Sequence, residues 1–311
     1  MKVAYPWFGG KSQVSRIVWD RFGDVRNYVE PFFGGGAVLL QRPSDHIRKV
    51  ETINDIDGFV ANFWRAVKHD PESVAHWADN PVNENDLHAR HKWLIINGKD
   101  LSTLLEEDPD YYDAKVAGWW VWGISCWIGG GWCDLTATIS RQRPDMGCCG
   151  VHRRRPALSR GFGVNRTPDE EQSRLDMLIE FYNALYERFD RVRVCCGDWT
   201  RVTSPTVTTL NHGITGMFLD PPYERKHRAD CYNYETDVAH AVREYAIQNG
   251  DKMKIALCGY ESDTYQMPDD WECIPWKANG GYGNRSKGQG RKNCHKERVW
   301  FSPLCKRKDM V

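Results

Sequence analysis

Hydrophobic positions in the first 68 residues follow two periods in turn. Over residues 12–22 the apolar side chains Val14, Ile17, Val18 and Phe22 recur at the three-and-four spacing of one helix face. Residues 26–30 then read as a short strand closed by Pro31, and Gly34, Gly35 and Gly36 lead into a helix near Ala37. Residues 50–54 read as a second strand and residues 59–68 as another helix. Strand, turn, helix, strand is how a doubly wound α/β fold opens.

The rhythm breaks between residues 70 and 167. Polar stretches surround a tryptophan-rich helix over 116–127, and a glycine- and arginine-rich tail follows. Alternation resumes with a helix over 172–189, whose Leu175, Leu178, Ile179, Tyr182, Leu185, Tyr186 and Phe189 predict a buried stripe. Strands are predicted at 192–196, 217–219, 254–258 and 298–301. The simplest organisation is one α/β domain, residues 1–68 and 169–311, interrupted by an inserted, mainly helical domain over 69–168.

Composition narrows the class. The 311 residues suffice for a large domain with an insertion, and no apolar run approaches the roughly 20 residues that span a bilayer. The opening residues lack an apolar signal core, so a cytoplasmic protein is expected, and separately a monomer. Eleven cysteines at irregular spacing, an odd number, fit reduced thiols better than a disulfide framework. Net charge is zero, which excludes an indiscriminate polycation. The charges are nevertheless segregated. Residues 51–113 hold fourteen acids against five Lys/Arg, residues 141–166 hold seven arginines against Asp145 alone, and residues 277–296 hold six Lys/Arg and no acid. A positive face of that kind suits a nucleic-acid partner, although a solvated loop explains one basic patch equally well.

Three motifs carry chemistry. Asp220-Pro221-Pro222-Tyr223 directly follows an apolar strand, and strand ends in parallel sheets are where ligands bind. The two prolines remove two N–H donors and leave carbonyls to accept; with the Asp220 carboxylate and the flat ring of Tyr223 they suit a planar base bearing an amino group. A plain strand-ending turn is the alternative. Residues 30–36, Glu-Pro-Phe-Phe-Gly-Gly-Gly, place glycines between strand and helix, where a ligand approaches backbone closely. The acid for a ribose belongs about 20 residues further on, where Asp55 stands, with Asp57 as competitor or helix cap. The third motif is Trp7 and the following residues to Lys11, a lysine beside Gly9 and Gly10 that is not a Walker loop.

Taken together and in this order, these motifs resemble the D12 class of adenine-specific DNA methyltransferases, the relatives of the Dam enzymes. That family opens with Trp/Tyr-x-Gly-Gly-Lys, continues with Glu-Pro-Phe-x-Gly-x-Gly and an Asp on the next strand, and carries Asp-Pro-Pro-Tyr late. The likeness covers roughly residues 5–68 and 172–302, including Arg174-Leu175 and a last strand from Glu297 to Phe301. It implies a Rossmann-like fold dependent on S-adenosylmethionine, with a target-recognition insertion and double-stranded DNA as partner. By resemblance Trp7, Phe32, Gly34 and Gly36 line the methionine part of the cofactor with Lys11 near its carboxylate. Asp55 holds the ribose, Asp198 meets the cofactor adenine, or is a strand-end turn. Asp220 and the carbonyl of Pro221, held by Pro222, accept from the target amine, and Tyr223 stacks on the flipped base. The host would be a bacterium or a phage-infected cell.

The inserted segment departs from the family. Where the family has an arginine this chain has Ser125, and Ile128-Gly129-Gly130 replaces Tyr-Asn-Gly, so base-reading contacts do not carry over. Arg141, Arg143, Arg153, Arg154 and Arg155 are candidates for DNA contacts, as are Lys287, Arg291 and Lys292 of the later basic loop. Cys126, Cys133, Cys148, Cys149 and His152 raise a zinc site, but their spacing fits no regular finger, and no metal is expected. Two alternatives stay open: methylation of cytosine N4 on the same scaffold, and a catalytically silent DNA-binding regulator.

Overall fold

The computed structural model describes residues 1–7, 9–43, 49–128, 131–133, 150–151, 155–156, 173–210, 212–223, 238–262, 265–276 and 297–305. Helices α1 (Ser15–Phe22), α2 (Ala37–Leu40) and α3 (Gly58–His69) interleave with strands β1 (Asn27–Glu30) and β2 (Val50–Asp55). Helices α4 (Pro71–Ala78), α5 (Glu84–Asn97), α6 (Leu101–Glu107) and α7 (Ala114–Cys126) follow, then the short antiparallel pair β3 (Trp127–Ile128) and β4 (Gly150–Val151). The chain continues through α8 (Arg174–Phe189), β5 (Val192–Cys196), α9 (Pro205–Thr208), β6 (Thr215–Leu219), α10 (Ala239–Asn249), β7 (Lys254–Tyr260), β8 (Glu272–Pro275) and β9 (Glu297–Phe301).

Seven of these strands form one sheet in the order β5-β2-β1-β6-β7-β9-β8. The five from β5 to β7 are parallel, and β9 runs antiparallel to both β7 and β8. The chain leaves β1 toward β2 on one side and returns beside β1 as β6 on the other. The switch point therefore lies between β1 and β6, where doubly wound sheets open a crevice at their carboxyl edge. This is the Rossmann-like architecture the motifs implied.

Both faces of the sheet are covered, and side-chain alternation divides them. Phe218, Ala256, Cys258, Val299 and Phe301 join one cluster with α1, α3, α7 and α8, while Met217, Leu219, Ile255, Leu257 and Trp300 join another with α10. Helices α4, α5 and α7 contribute Val74, Leu87, Leu94, Trp120 and Trp122 to the first cluster. The buried Glu51 carboxylate bonds Arg188 of α8 at 2.6 and 2.8 Å and Arg42 at 2.8 Å, which ties helix to strand.

Element boundaries moved where local bonds outweigh periodicity. The first helix begins at Ser15 rather than at residue 12. The Lys11 carbonyl accepts from Val14 N at 3.1 Å and from Ser15 N at 3.0 Å, making a turn that keeps Lys11 ahead of the helix. The long helix begins at Arg174, after a capping box between Ser173 and Asp176. Its stripe is narrower than predicted: Leu178, Tyr182, Leu185 and Phe189 are buried, Leu175 and Ile179 are partly covered, and Tyr186 is 42 % exposed. Helices α4, α5, α6 and α10 and strand β8 were not anticipated. Helix α5, for instance, buries Leu87, His91, Leu94 and Ile95 and leaves Ile96 exposed among mostly polar neighbours.

Candidate functional site

At the carboxyl edge of the sheet β1 ends in Glu30, β2 in Asp55, β5 in Cys196 and β6 runs into Asp220. Because β9 is antiparallel to β7, with Glu297 opposite Tyr260, its first residue reaches the same edge. Five strands thus aim polar groups at one crevice.

On the β6 side, Lys11 Nζ lies 2.7 Å from Asp220 Oδ2 and donates to the Gly9 carbonyl at 2.7 Å. Its ammonium stands 5.5 Å from the centre of the Tyr223 ring and 5.4 Å from that of Trp276. Burial alone would favour the neutral amine. The Asp220 carboxylate, helped by Cys258 and Glu297, outweighs burial and raises the Lys11 pKa. Asp220 itself is held above the usual carboxylate range by burial, which Lys11 and the Tyr223 hydroxyl only partly offset. Tyr223 meets Tyr260 edge-on at 4.5 Å and donates to Glu297 Oε2 at 3.0 Å. Burial also raises the Glu297 carboxyl, against Lys11 and with Asp220. Glu30, beneath them, is raised by burial and bonded by the Tyr28 hydroxyl at 2.8 Å.

The β2 side is held mainly by backbone. Asp55 Oδ2 accepts from Gly34 N at 2.8 Å and Oδ1 from Asp57 N at 2.9 Å. Burial lifts its pKa to about 6, and the amide donors oppose that shift. Asn54 Nδ2 donates to the carbonyls of Pro31 at 3.1 Å and Gly197 at 2.9 Å. The glycine turn is packed shut by aromatics: Gly34 has φ +48°, and a Cβ there would lie 2.2 Å from Trp7 Nε1. Tyr5 donates to the Gly34 carbonyl at 2.6 Å and receives the Trp64 indole N–H at 3.0 Å. Gly36 also has a left-handed backbone, φ +65°.

Phe32 stacks on Trp199 with ring centres 6.2 Å apart. Asp198, exposed, caps the 3-10 turn Trp199–Val202 and accepts from Thr200 N at 2.9 Å. Asp57 is the helix cap that was its plainer reading, accepting from Phe59 N at 2.9 Å. The structure therefore brings Trp7, Lys11, Phe32, Gly34, Gly36, Asp55, Asp198, Asp220, Pro221, Pro222 and Tyr223 to one edge. Glu297, Tyr260, Trp276 and Trp199 join them without having been singled out. The signal for Glu297 was its place at the start of the last strand, which only the antiparallel pairing turns toward the site.

A donor set of this kind fits a nucleoside-bearing cofactor. Asp55 is an acceptor for hydroxyls, Asp198 an acceptor beside stacked aromatic rings, and the glycine turn, closed on one side by Trp7 and Phe33, joins them at the same edge. Of the candidate DNA contacts only Arg155 falls within the described residues, half-buried near Arg174, which itself bonds Asp79 at 2.7 Å. Arg141, Arg143, Arg153, Arg154, Lys287, Arg291 and Lys292 lie outside them. Cys126 and Cys133 are buried free thiols; Cys148, Cys149 and His152 also lie outside, and the described residues include no group of three metal-ligating side chains. Among the described residues no helix is long and apolar enough to cross a membrane.

Comparison with known proteins points the same way. Residues 7–113 match the model of the D12 class N6 adenine-specific DNA methyltransferase family. That stretch holds Trp7, Lys11, the glycine turn and Asp55, whereas Asp220 to Tyr223 lie beyond it. The type II methyltransferase M.MjaIII of Methanocaldococcus jannaschii is 31% identical over 74 residues, 22% of this chain and 26% of that protein. The match thus spans about a quarter of the relative's length.

Proposed function

We propose that this protein is a DNA methyltransferase acting on the exocyclic N6 amino group of an adenine flipped out of double-stranded DNA. S-adenosylmethionine is its methyl donor. The observation that carries the reading is the partly buried carboxylate of Asp220, paired with buried Lys11 at 2.7 Å beside the glycine turn at the switch point of the sheet. An aryl amine is a poor nucleophile because its lone pair is delocalised into the ring. Acceptors on its two hydrogens, the Asp220 carboxylate and the Pro221 carbonyl, draw the nitrogen toward tetrahedral geometry and localise that pair.

The bound cofactor supplies an electrophilic sulfonium methyl. Asp55 would hold its ribose, Asp198 its adenine, Trp7, Phe32, Gly34 and Gly36 would line its amino-acid part, and Lys11 would reach its carboxylate. Tyr223 offers a ring face to the target base, and Asp220 stabilises positive charge developing on the nitrogen. Holding both partners in place supplies much of the acceleration. Residues 69–168 form the target-recognition part in this reading, and the basic stretches 141–166 and 277–296, with Arg141, Arg143, Arg153, Arg154, Arg155, Lys287, Arg291 and Lys292, meet the DNA.

Incubating double-stranded DNA with the protein and methyl-labelled S-adenosylmethionine, then digesting to nucleosides, tests this directly. Label in N6-methyldeoxyadenosine is the expected result. Label in N4-methylcytosine alone would overturn the choice of base, and no transfer to any DNA would overturn the activity.

A further inference from the structure

Glu297 lies in the site, and the reaction just described gives it nothing to do. Its side chain is carried on the first residue of β9, opposite Tyr260, and the residue is 5% exposed. Its Oε2 accepts from the Tyr223 hydroxyl at 3.0 Å, and the same hydroxyl lies close enough to Asp220 to favour its ionised form. One hydroxyl thus stands between two carboxyl groups, Glu297 buried and Asp220 partly buried.

The groups around Glu297 come from β1, β6, β7 and β9 and from the segment ahead of α1. Lys11 and Asp220 act on Glu297 directly, and Glu30 and the Cys258 thiol share the same field. Arg298 donates to the Glu297 backbone carbonyl at 3.0 Å and pairs through its side chain with Glu261. Asp220 and Glu297 therefore share one buried ammonium, and Glu30 adds its charge to the field at Asp220. A hydroxyl has one proton and donates it to one carboxylate at a time; its other contact is a hydrogen bond only when that second carboxyl carries a proton. The bridge is built to hold one proton more than the hydroxyl brings.

We propose that Glu297 is the positioning residue that takes up, through the Tyr223 hydroxyl, the proton released to Asp220 when the amine is methylated, an inference that rests on the amine-methylation reading. The N–H bond of the methylated ammonium breaks and its proton joins an Asp220 oxygen. That proton passes to the Tyr223 oxygen as the tyrosine O–H proton passes to Glu297 Oε2. The amine ends neutral, Tyr223 is unchanged, Asp220 is again an anion beside Lys11, and Glu297 is a neutral acid. The direction follows from the surroundings: the Lys11 ammonium at 2.7 Å favours ionised Asp220, whereas burial and the charge of Asp220 favour neutral Glu297.

Two measurements test this with wild type, Glu297→Gln, Tyr223→Phe and the double variant. In the ligand-free protein, carboxyl-carbon NMR against pH should show Asp220 and Glu297 titrating as a coupled pair, each signal reporting both steps. Glu297→Gln should leave Asp220 with a single step at lower pH. In single-turnover methylation the wild-type rate should rise with pH through the upper step of the pair, because the acceptor must be ionised. Glu297→Gln should lose that limb and run ~10-fold slower on the plateau, and Tyr223→Phe should lose the same limb. The double variant should be no slower than the slower single variant. Independent one-step titrations of the two carboxyls, or a Glu297→Gln profile that keeps the limb, would overturn the relay. If Glu297→Gln does not fold, the Tyr223→Phe profile decides in the same way. A wild type that methylates no DNA sinks the proposed activity instead, and the ligand-free titration still decides whether the bridge shares a proton.

Discussion

On the β2 side of the crevice the polar groups are anchored to backbone. Asp55 accepts from two main-chain amides, Asn54 donates to two main-chain carbonyls, and Trp7 closes over a glycine. On the β6 side they are anchored to one another: Lys11 to Asp220, Tyr223 to Asp220 and Glu297. Backbone anchors are rigid and carry no charge, which suits a surface that must present one shape to a cofactor. Side-chain anchors can exchange partners and protons, which suits a surface where charge has to move. In this reading the first half of the site is organised for binding and the second half for chemistry.

The largest expected effect comes from removing the carboxylate of the chemical half. Asp220→Ala should lower methyl transfer by ~100-fold or more, while cofactor affinity stays within about threefold of wild type if binding belongs to the other half. It also leaves the Lys11 ammonium enclosed without its nearest partner, a change that costs about 3 kcal/mol or more for a buried pair, so rates are to be compared well below the unfolding temperature. Asp55→Asn should do the reverse. Its effect on binding has a sign in pH: with a pKa of about 6 in the fold, Asp55 is ionised, and able to accept from both ribose hydroxyls, only above that pH. Wild-type cofactor affinity should therefore rise as pH passes through about 6 and level off above it, and the Asn variant should lack that rise. Stability runs the other way: folded Asp55 holds its proton more tightly than an unfolded Asp does near pH 4, so its contribution falls as pH rises from about 4 to 6. Calorimetric titration of cofactor at several pH values checks the first sign, and equal slopes in both proteins would remove Asp55 from the binding half.

The backbone half should break through its glycine. Gly34→Ala forces a left-handed residue, about 1–2 kcal/mol, and drives a methyl into the Trp7 indole, an overpacking that costs about 1–3 kcal/mol more. Gly213 separates the two terms, since it has φ +70° and nothing within 4 Å of the added Cβ. Gly213→Ala should show the backbone term alone in urea unfolding. If the two variants were equally destabilised, Trp7 would not be pressing on the glycine turn.

What the sequence made legible follows the same division. Motifs whose residues are close in the chain were readable: the glycine turn, Asp55 one strand later, and the Asp220 turn after an apolar strand all lie where periodicity and turn chemistry put them. Contacts made by distant residues were not. Nothing near Lys11 announces a partner more than 200 residues away, and Glu297 reaches the site only through antiparallel pairing. Helices α4, α5 and α6 were lost for another reason: their buried positions keep helical spacing, but they are few, two of the three in α4 are alanines and one of the four in α5 is His91, so polar neighbours mask the stripe. In α8 the reverse error arose, because Tyr186 matched the stripe in spacing but not in reach.

The smallest expected effect concerns Asp198, where the two ways of anchoring meet in one side chain. Its carboxylate already accepts from Thr200 N, capping the turn that carries Trp199, and the cofactor reading asks it also to accept from an adenine amine. Asp198→Ser keeps a side-chain oxygen able to cap but is too short and uncharged to serve a ligand beyond the turn. If the carboxylate meets the adenine, this variant should melt with the wild type and bind the cofactor about 3–10-fold more weakly, the worth of one hydrogen bond. Asp198→Ala should lose the cap as well and melt lower. Should Asp198→Ser bind the cofactor as tightly as wild type, the residue belongs wholly to the backbone-anchored half, and the adenine is held by the stacked rings of Phe32 and Trp199.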